Sequence, residues 1–533
     1  MEISPRVQWL IQEHRRRQQL TTKKEGELTI SVDEVTARVA SFYEKIRGVV
    51  DWKEEHLLRK TAIERILKRR IFVGRKQEDF ADRFLQELVR GGHFPNDSIP
   101  LEKVDEIQSI IDKYIAISDI YSQHSKGENL RKAEDWMWSI AAVEVEEALS
   151  FPLRERALIE LMHQELDPKI ELQERKNGPF LLAEEKSIQV YVAVQKALFK
   201  LDPATIGFHI IEKLYPDWKQ PAPETLSHLG ENLELIFHQI QKTLFHPYGE
   251  KFYKIAEKYD TPYLILNDII AEDHEQFANL AKNPEHLESA ARSAYERRHN
   301  SLGRKIGRAA FYSTLSVFIS KIAVALLIEI PIERAMSGTV DYIPLGINML
   351  IPPTLMFLLV RTAQTSSDEN LERVVMEVMR ITHGTESNAS YTITPLKKKR
   401  SGLNIMVEGL YLLSFLVSFG AIAFALLFYL KFNIFSTLIF LMFVSLISFA
   451  GTKIRQRARE LLILSEHQGF FIGLLDFFAL PFIQAGKWLS GQIVRYNIFV
   501  LIMNFLIEIP FQVFVEFLEQ WRKFLKEKRE EIH

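Results

Sequence analysis

The stretch LYLLSFLVSFGAIAFALLFYL, from Leu410 to Leu430, decides the fold class of this chain. It carries no charged side chain and matches the ~20 apolar residues that a helix needs to cross the hydrocarbon core of a bilayer. A second stretch, IFSTLIFLMFVSLISFAG from Ile434 to Gly451, follows after a link that contains Lys431. The two stretches predict a tight transmembrane hairpin of two helices, because backbone polar groups in lipid must be satisfied within the helix.

Four more apolar stretches extend this pattern through the second part of the chain. The second and fifth stretches in chain order are the weakest, since each is short and interrupted by proline. An alternative with four crossings, in which these two stretches lie re-entrant or at the interface, stays open. The sequence predicts about six transmembrane helices, at residues 309–330, 342–360, 405–430, 432–452, 470–485 and 496–515.

Basic residues near the ends of these stretches indicate the topology. Six crossings place four basic clusters on one side, which the excess of lysine and arginine identifies as cytoplasmic. We therefore expect a multi-pass membrane protein with both termini in the cytoplasm, and a bacterial inner membrane as its location. The clusters are Arg297–Arg308, Arg361 with Lys397–Arg400, Lys453–Arg459 and Arg522–Arg529.

The first 300 residues are charged throughout and show repeated apolar positions at helical spacing. They predict an all-α domain, and the segment from Pro284 onward predicts one helix that continues directly into the first span. The basic loop HGTESNASYTITPLKKKRSG, after a cytoplasmic helix that starts near Asp368, is interpreted as mobile. The predicted organisation is a cytoplasmic helical domain (1–300), a juxtamembrane helix with spans one and two (301–361), a cytoplasmic helix and basic loop (362–404), spans three to six (405–517) and a charged cytoplasmic tail (518–533).

Composition and motifs exclude several classes of function. The chain has no cysteine, so it has no disulfide, thiolate zinc site or cysteine nucleophile. Its formal net charge of -2 argues against a nucleic-acid binder. Neither a phosphate-binding loop nor a metalloprotease pattern is present. We therefore expect no enzyme, no cofactor, no catalytic residue and no metal site.

Ionisable residues inside the apolar stretches are the candidate functional residues, because a charge near the bilayer centre costs about 2.5–3.5 kcal/mol on insertion scales. Lys321 and Glu508 fall near the middle of the first and sixth spans, and we predict that they pair there. The pair would belong to a polar pathway or, as an equally weighted alternative, clamp the bundle together. Asp476 in the fifth span is the next candidate. Glu329 is interpreted as a boundary residue that reaches headgroups or Arg334.

Prolines within the spans are the candidate sites of helix breaks. Pro331 and Pro510 both close the sequence LIEIP, and each would free a carbonyl four residues earlier. Pro352 and Pro353 lie together in the second span and predict a kink there. A discontinuous helix beside a cavity is typical of transporters, although a merely bent structural helix is the more common outcome.

Two functions fit these features. The first is permeation or transport of an ion or small solute along a polar pathway between the spans. The alternative is a non-enzymatic membrane-anchored scaffold or adaptor, whose cytoplasmic helical domain binds a protein partner. The lipid bilayer is the predicted partner in both cases, and a homo-oligomer is compatible with the sequence.

Overall fold

The computed structural model describes residues 2–21, 26, 28–50, 55–73, 80–124, 128–173, 180–337, 341–361, 368–385, 390–395, 401–458, 470–495 and 509–531. These residues are helical almost throughout, which confirms the all-α prediction. The chain divides into two compact units. We call them the charged unit (Pro5–Asp260, Asn388–Thr394, Ile498–His533) and the apolar unit (Met1–Ser4, Thr261–Ser387, Pro395–Asn497). This division follows packing, not sidedness in a membrane, so the predicted domain boundaries stay a prediction.

The charged unit is a helical assembly with two short strands. It contains α1 (Pro5–Thr21), α2 (Glu34–Val50), α3 (Glu55–Val73), α4 (Phe80–Arg90), α5 (Lys103–His124), α6 (Glu128–Ser150), α7 (Leu153–Leu166), β1 (Ile170–Leu172), α8 (Ala183–Phe199), α9 (Pro203–Leu214), α10 (Pro223–Glu231), α11 (Leu233–Leu244), α12 (Gly249–Glu257), β2 (Tyr391–Ile393) and α22 (Ile509–Glu531).

The core of the charged unit forms because its helices repeat apolar residues at three- and four-residue spacing. In α4, Phe80, Phe84 and Leu88 recur every four residues and are at most 2% exposed. They belong to one continuous apolar cluster that also takes in side chains of α3, α5, α6, α9 and α11. Burial of a large apolar side chain contributes about 1.5–3 kcal/mol, so this shared face holds the helices together.

The basic loop interpreted as mobile contains an ordered strand, which corrects that interpretation. In it, Tyr391 to Ile393 form β2, which pairs in parallel with β1. The Lys251 ammonium donates to the backbone carbonyl of Thr394 at 2.7 Å, just after the strand. The sequence YTIT at 391–394 has strand-favouring residues but is too short to predict a strand. The pairing depends on a partner more than two hundred residues away.

The apolar unit contains the long apolar helices of the second part of the chain, together with shorter and more polar ones. It contains α13 (Asp260–Glu272), α14 (Phe277–Leu280), α15 (Pro284–Val324), a π-helical turn (Ala325–Glu329), α16 (Ile330–Ser337), α17 (Tyr342–Arg361), α18 (Asp368–His383), α19 (Ser401–Phe424), a second π-helical turn (Ala425–Tyr429), α20 (Ile434–Ala458) and α21 (Phe470–Arg495).

Four helices of the described chain are long and apolar enough to cross a membrane, against the six predicted. They are Pro284–Ala335, Tyr342–Leu359, Glu408–Tyr429 and Ile434–Gln456, and they correspond to the first four predicted spans. In three of these helices, no more than 22% of the most apolar 18-residue segment is buried. The fifth stretch forms the helix α21, while most of the sixth, residues 496–508, lies outside the described residues.

The predicted helix that continues into the first span is confirmed. Residues 284–324 form the single helix α15, and the helix does not break at Gly303 or Gly307. Nothing lies within 4 Å of the position that a Cβ would take at either glycine. Asn283 caps its first turn by accepting from the backbone N–H of Glu285, which is the usual role of this residue type.

The predicted tight link between the third and fourth spans is also confirmed. Lys431 adopts a left-handed conformation with a φ of 53°, which reverses the chain after the second π-helical turn. Asn433 then caps α20, since its side-chain oxygen accepts from the backbone N–H of Ser436 at 2.6 Å. The link therefore needs only four residues, 430–433, between helices.

Helices α20 and α21 approach so closely that their backbones nearly touch at Gly486. A Cβ at this position would lie 2.0 Å from the carbonyl oxygen of Ser445 and 2.8 Å from Cβ of Phe449. Small residues at such crossings let helix backbones approach in membranes, where there is no hydrophobic driving force between helices. Gly486 therefore sets the spacing of this helix pair.

Candidate functional site

Two opposite charges meet inside the apolar unit. Lys321, near the end of α15, and Glu329, in the first π-helical turn, both have side chains that are 0% exposed. The Lys321 ammonium donates to Oε1 of Glu329 at 2.5 Å. Charge-assisted hydrogen bonds of this kind are roughly twice as strong as neutral ones. These two residues form the centre of the candidate site.

The π-helical turn explains how residues eight apart come to share one face. In a regular α-helix, eight residues correspond to a rotation that leaves the two side chains about 80° apart. A π-helical turn acts as one inserted residue, so the phase becomes that of seven residues, or about 20° apart. The backbone N–H of Ile330 bonds the carbonyl of Ala325, five residues earlier, as this geometry requires.

Pro331 gives a local reason for this widened turn. Proline lacks the backbone N–H, and in a regular helix its ring clashes with the carbonyl four residues earlier, here Leu327. Pro331 directly follows the first residue of α16, immediately after the π-helical turn. A wider turn at this point is a known way for a helix to accommodate such a disruption. The sequence LIEIP therefore positions Glu329 against Lys321.

Asn348 and Phe443 complete the surroundings of the ion pair. The amide of Asn348, on α17, donates to Oε2 of Glu329 at 3.0 Å, and Asn348 is 1% exposed. The Lys321 ammonium lies 5.1 Å from the centre of the Phe443 ring on α20, within range of a cation–π interaction. Two other helices, α17 and α20, thus contact the pair.

The site has one polar atom left without a bond. Oδ1 of Asn348 has no hydrogen-bond partner among the described residues. A buried polar atom in this state costs about 1–3 kcal/mol, so the cluster is not fully satisfied. The surrounding apolar cluster of Met356, Ile439 and Ile447 offers no alternative acceptor or donor side chain. The buried ion pair and the unbonded amide oxygen beside it offer charged and hydrogen-bonding groups to a polar solute.

The structure pairs Lys321 with Glu329, which replaces one of the sequence interpretations. Glu329 is not an exposed boundary residue, because its side chain is enclosed and its carboxylate faces Lys321 instead of Arg334. The predicted partner Glu508 lies outside the described residues, so a pairing of Glu508 with Lys321 stays a prediction. Asp476 lies in α21, and its side chain is likewise outside what the structure describes.

The candidate helix breaks behave differently from one another. Pro352 and Pro353 lie inside α17, which remains one continuous helix from Tyr342 to Arg361, so the second span is not discontinuous. Pro510 is the second residue of α22, a position where the missing N–H removes no intrahelical bond. Among the four prolines, only Pro331 adjoins a change of helix type in the described chain.

A second buried charge cluster lies in the charged unit and is fully bonded. The carboxylate of Glu144 accepts from the Lys113 ammonium at 2.6 Å, from Tyr114 at 2.7 Å and from the Trp218 indole at 2.9 Å. Burial lowers the pKa of Lys113, while the attraction of Glu144 opposes that effect. Because every partner is satisfied, this cluster acts as a structural clamp between α5, α6 and the segment after α9.

Glu146, which lies on α6, has a raised pKa. Burial raises its pKa to about 7, opposed by the nearby Arg59 and reinforced by Glu147. The Arg59 guanidinium lies 3.5 Å from the Glu146 carboxylate. A carboxyl group with this pKa changes charge near neutral pH, so the stability of the charged unit depends on pH in that range.

No group of three or more metal-ligating side chains occurs within the ranges that the structure describes. No family model, curated protein or solved structure matches the chain. A sequence signal that favours the Lys321–Glu329 pair is the proline two residues after Glu329, since a widened turn that accommodates it shifts the phase between the two residues.

Proposed function

We propose that the chain is a multi-pass membrane protein that conducts or transports an ion or small solute through a polar pathway between its transmembrane helices. The observation that carries the proposal is the enclosed Lys321–Glu329 pair in the apolar part of a helix that is long enough to span a membrane. An ionisable group at membrane depth is costly, so it is retained where it has a role. The proposed topology crosses a bacterial inner membrane at the four helices of spanning length, and this even number of crossings leaves both termini and the four basic clusters in the cytoplasm.

The surroundings of the pair support a role in permeation. Single π-helical turns inside long helices frequently lie at functional sites, and here the turn adjoins a proline. The Asn348 amide offers an unbonded acceptor at the same place. A transported ion or polar solute would exchange with these contacts, and the pair would separate while the solute passes.

A flux assay in reconstituted vesicles tests this function. The purified full chain is reconstituted, and fluxes of protons, sodium, potassium, chloride and small neutral solutes are compared with those of protein-free vesicles. We expect one of these fluxes to rise at least tenfold and to fall at least tenfold in Glu329→Gln. Lys431→Met, at the exposed link between the third and fourth spans, is the matched control and should keep full flux. A folded protein without any flux above background contradicts the proposal.

The alternative function is a membrane-anchored scaffold or adaptor. It is favoured by one observation, namely that Lys321 and Glu329 have no exposed side-chain surface in the described chain. A pair that stays enclosed clamps the bundle and conducts nothing. In this case the charged unit would bind a protein partner, and Glu329→Gln would lower the stability of the bundle without changing any flux.

A further inference from the structure

The last helix, α22, displays an apolar stripe that has no partner in the described chain. Six large apolar side chains on this helix are each between 49% and 62% exposed. The Trp521 ring stacks on Phe517 and contacts Phe524, so the aromatic members form one surface. The stripe consists of Val513, Phe514, Phe517, Trp521, Phe524 and Leu525.

The helical register gathers these residues into one sector. At 100° per residue, the six positions fall within about 120° around the helix axis. This width is that of the apolar face of a helix that packs against a hydrophobic environment. The stripe is therefore a continuous surface three turns long, and it is distinct from scattered exposed residues, which would need no explanation.

A different face of α22 already packs within the charged unit. Val515 is 0% exposed, and α22 contacts α2. Arg522 donates to the Asp33 carboxylate at 3.1 Å, just before α2 begins. The exposed stripe is consequently a second apolar face, because the helix has already satisfied its packing inside the unit with the first.

The charge pattern of the helix indicates what covers the stripe. Residues 522–529 carry five basic residues and one acidic residue. By register, Glu516, Glu519 and Lys523 fall in the remaining sector of the helix. The whole helix has five basic and five acidic residues, but all the basic ones lie in its second half, near Trp521, Phe524 and Leu525 in sequence. An aromatic surface with lysine and arginine beside it is typical of helices that lie in the plane of a membrane interface, where tryptophan is enriched. Charges at every turn prevent this part of the helix from crossing a bilayer.

We propose that α22 lies parallel to the membrane surface, with the Val513–Leu525 stripe inserted at the boundary between anionic headgroups and acyl chains. The helix would then attach the charged unit to lipid directly. This attachment does not depend on permeation, and it holds equally for the scaffold alternative.

The absence of cysteine from the whole chain makes a direct test simple. The full-length protein is reconstituted in vesicles of phosphatidylcholine with phosphatidylglycerol, and a nitroxide spin label is attached to single-cysteine variants. Phe517→Cys probes the stripe, and Lys523→Cys, about 120° away around the helix, is the matched control. Collision rates with oxygen, which concentrates in lipid, and with a water-soluble nickel chelate are measured by electron paramagnetic resonance.

We expect the Phe517→Cys label to favour oxygen over nickel at least fivefold more than the Lys523→Cys label does. Labels at Val513→Cys and Phe524→Cys should lie at the same depth, because an in-plane helix keeps its stripe level. Replacing phosphatidylglycerol by phosphatidylcholine should lower the oxygen preference at Phe517→Cys.

Four results would overturn the proposal. Preferential exposure of the stripe labels to nickel would show a water-exposed helix. Protection of Phe517→Cys from both reagents would show coverage by protein, such as a second copy of the chain. A depth difference near 16 Å between Val513→Cys and Phe524→Cys, which eleven residues of helix rise would produce, would show a crossing helix. An oxygen preference that is independent of anionic lipid would remove the role of the basic residues.

Discussion

Replacing one member of the Lys321–Glu329 pair should destabilise the apolar unit more than replacing both. Both side chains are 0% exposed, so Lys321→Met leaves the Glu329 carboxylate buried with the Asn348 amide as its one side-chain donor among the described residues. Glu329→Gln removes the negative charge, so the buried ammonium keeps the neutral glutamine oxygen and the Phe443 ring as its described neighbours. Loss of one partner of a buried pair costs about 3–5 kcal/mol, so each single variant should lose that much free energy of unfolding.

The double variant Lys321→Met/Glu329→Gln should recover most of this loss. Neither charge remains buried, and replacement of a buried pair by neutral side chains is often neutral or stabilising. We expect the double variant to lie within about 2 kcal/mol of the unmodified protein, which gives a coupling energy of at least about 4 kcal/mol in the double-mutant cycle. This corresponds to a factor of more than 100 in the unfolding equilibrium.

Reversible unfolding in mixed micelles, followed by circular dichroism as the fraction of denaturing detergent rises, measures all four free energies. Lys431→Met, in the exposed link before α20, should change the free energy of unfolding by less than about 0.5 kcal/mol. If the losses of the two single variants simply add in the double variant, the pair does not exist and the site described above is wrong.

Three further predictions concern packing and acidity. Gly486→Ala should destabilise the α20–α21 pair by at least about 1–3 kcal/mol through overpacking, whereas Gly491→Ala on the same helix, with open space at its Cβ position, should be neutral or stabilising by thermal unfolding. Folding raises the pKa of Glu146 from 4.5 to about 7, so its favourable contribution to the free energy of unfolding is complete below pH 4.5 and is lost as the pH rises through 7. This contribution is at most about 3 kcal/mol. Glu146→Gln should abolish this pH dependence when unfolding is measured from pH 5 to 8. Glu144→Ala should cost about 3–5 kcal/mol by leaving the Lys113 ammonium buried and unpaired, and equal stability of Glu144→Ala and the unmodified chain in the same assay would contradict that account.

The secondary structure of this chain could be predicted well because it depends on local periodicity. The apolar lengths of the first four spans, the helix from Pro284 into the first span and the short link at Lys431 all depend on local signals, and the structure contains each of them. The partner of Lys321 could not be predicted in this way. Counting at 100° per residue places Glu329 on a different face, and only the π-helical turn removes that difference.

The sequence by itself determined that the chain is all-α and that its second part contains helices apolar enough for lipid. The reason is that the length of an apolar stretch and the spacing of apolar residues are local properties of the sequence. Tertiary structure alone decided which groups meet. The parallel pairing of β1 with β2, the backbone approach at Gly486 and the enclosure of Glu329 all join segments that are distant in sequence or out of phase. Such contacts depend on how helices pack and on where a helix widens, and these properties belong to the folded assembly, not to any local stretch of residues.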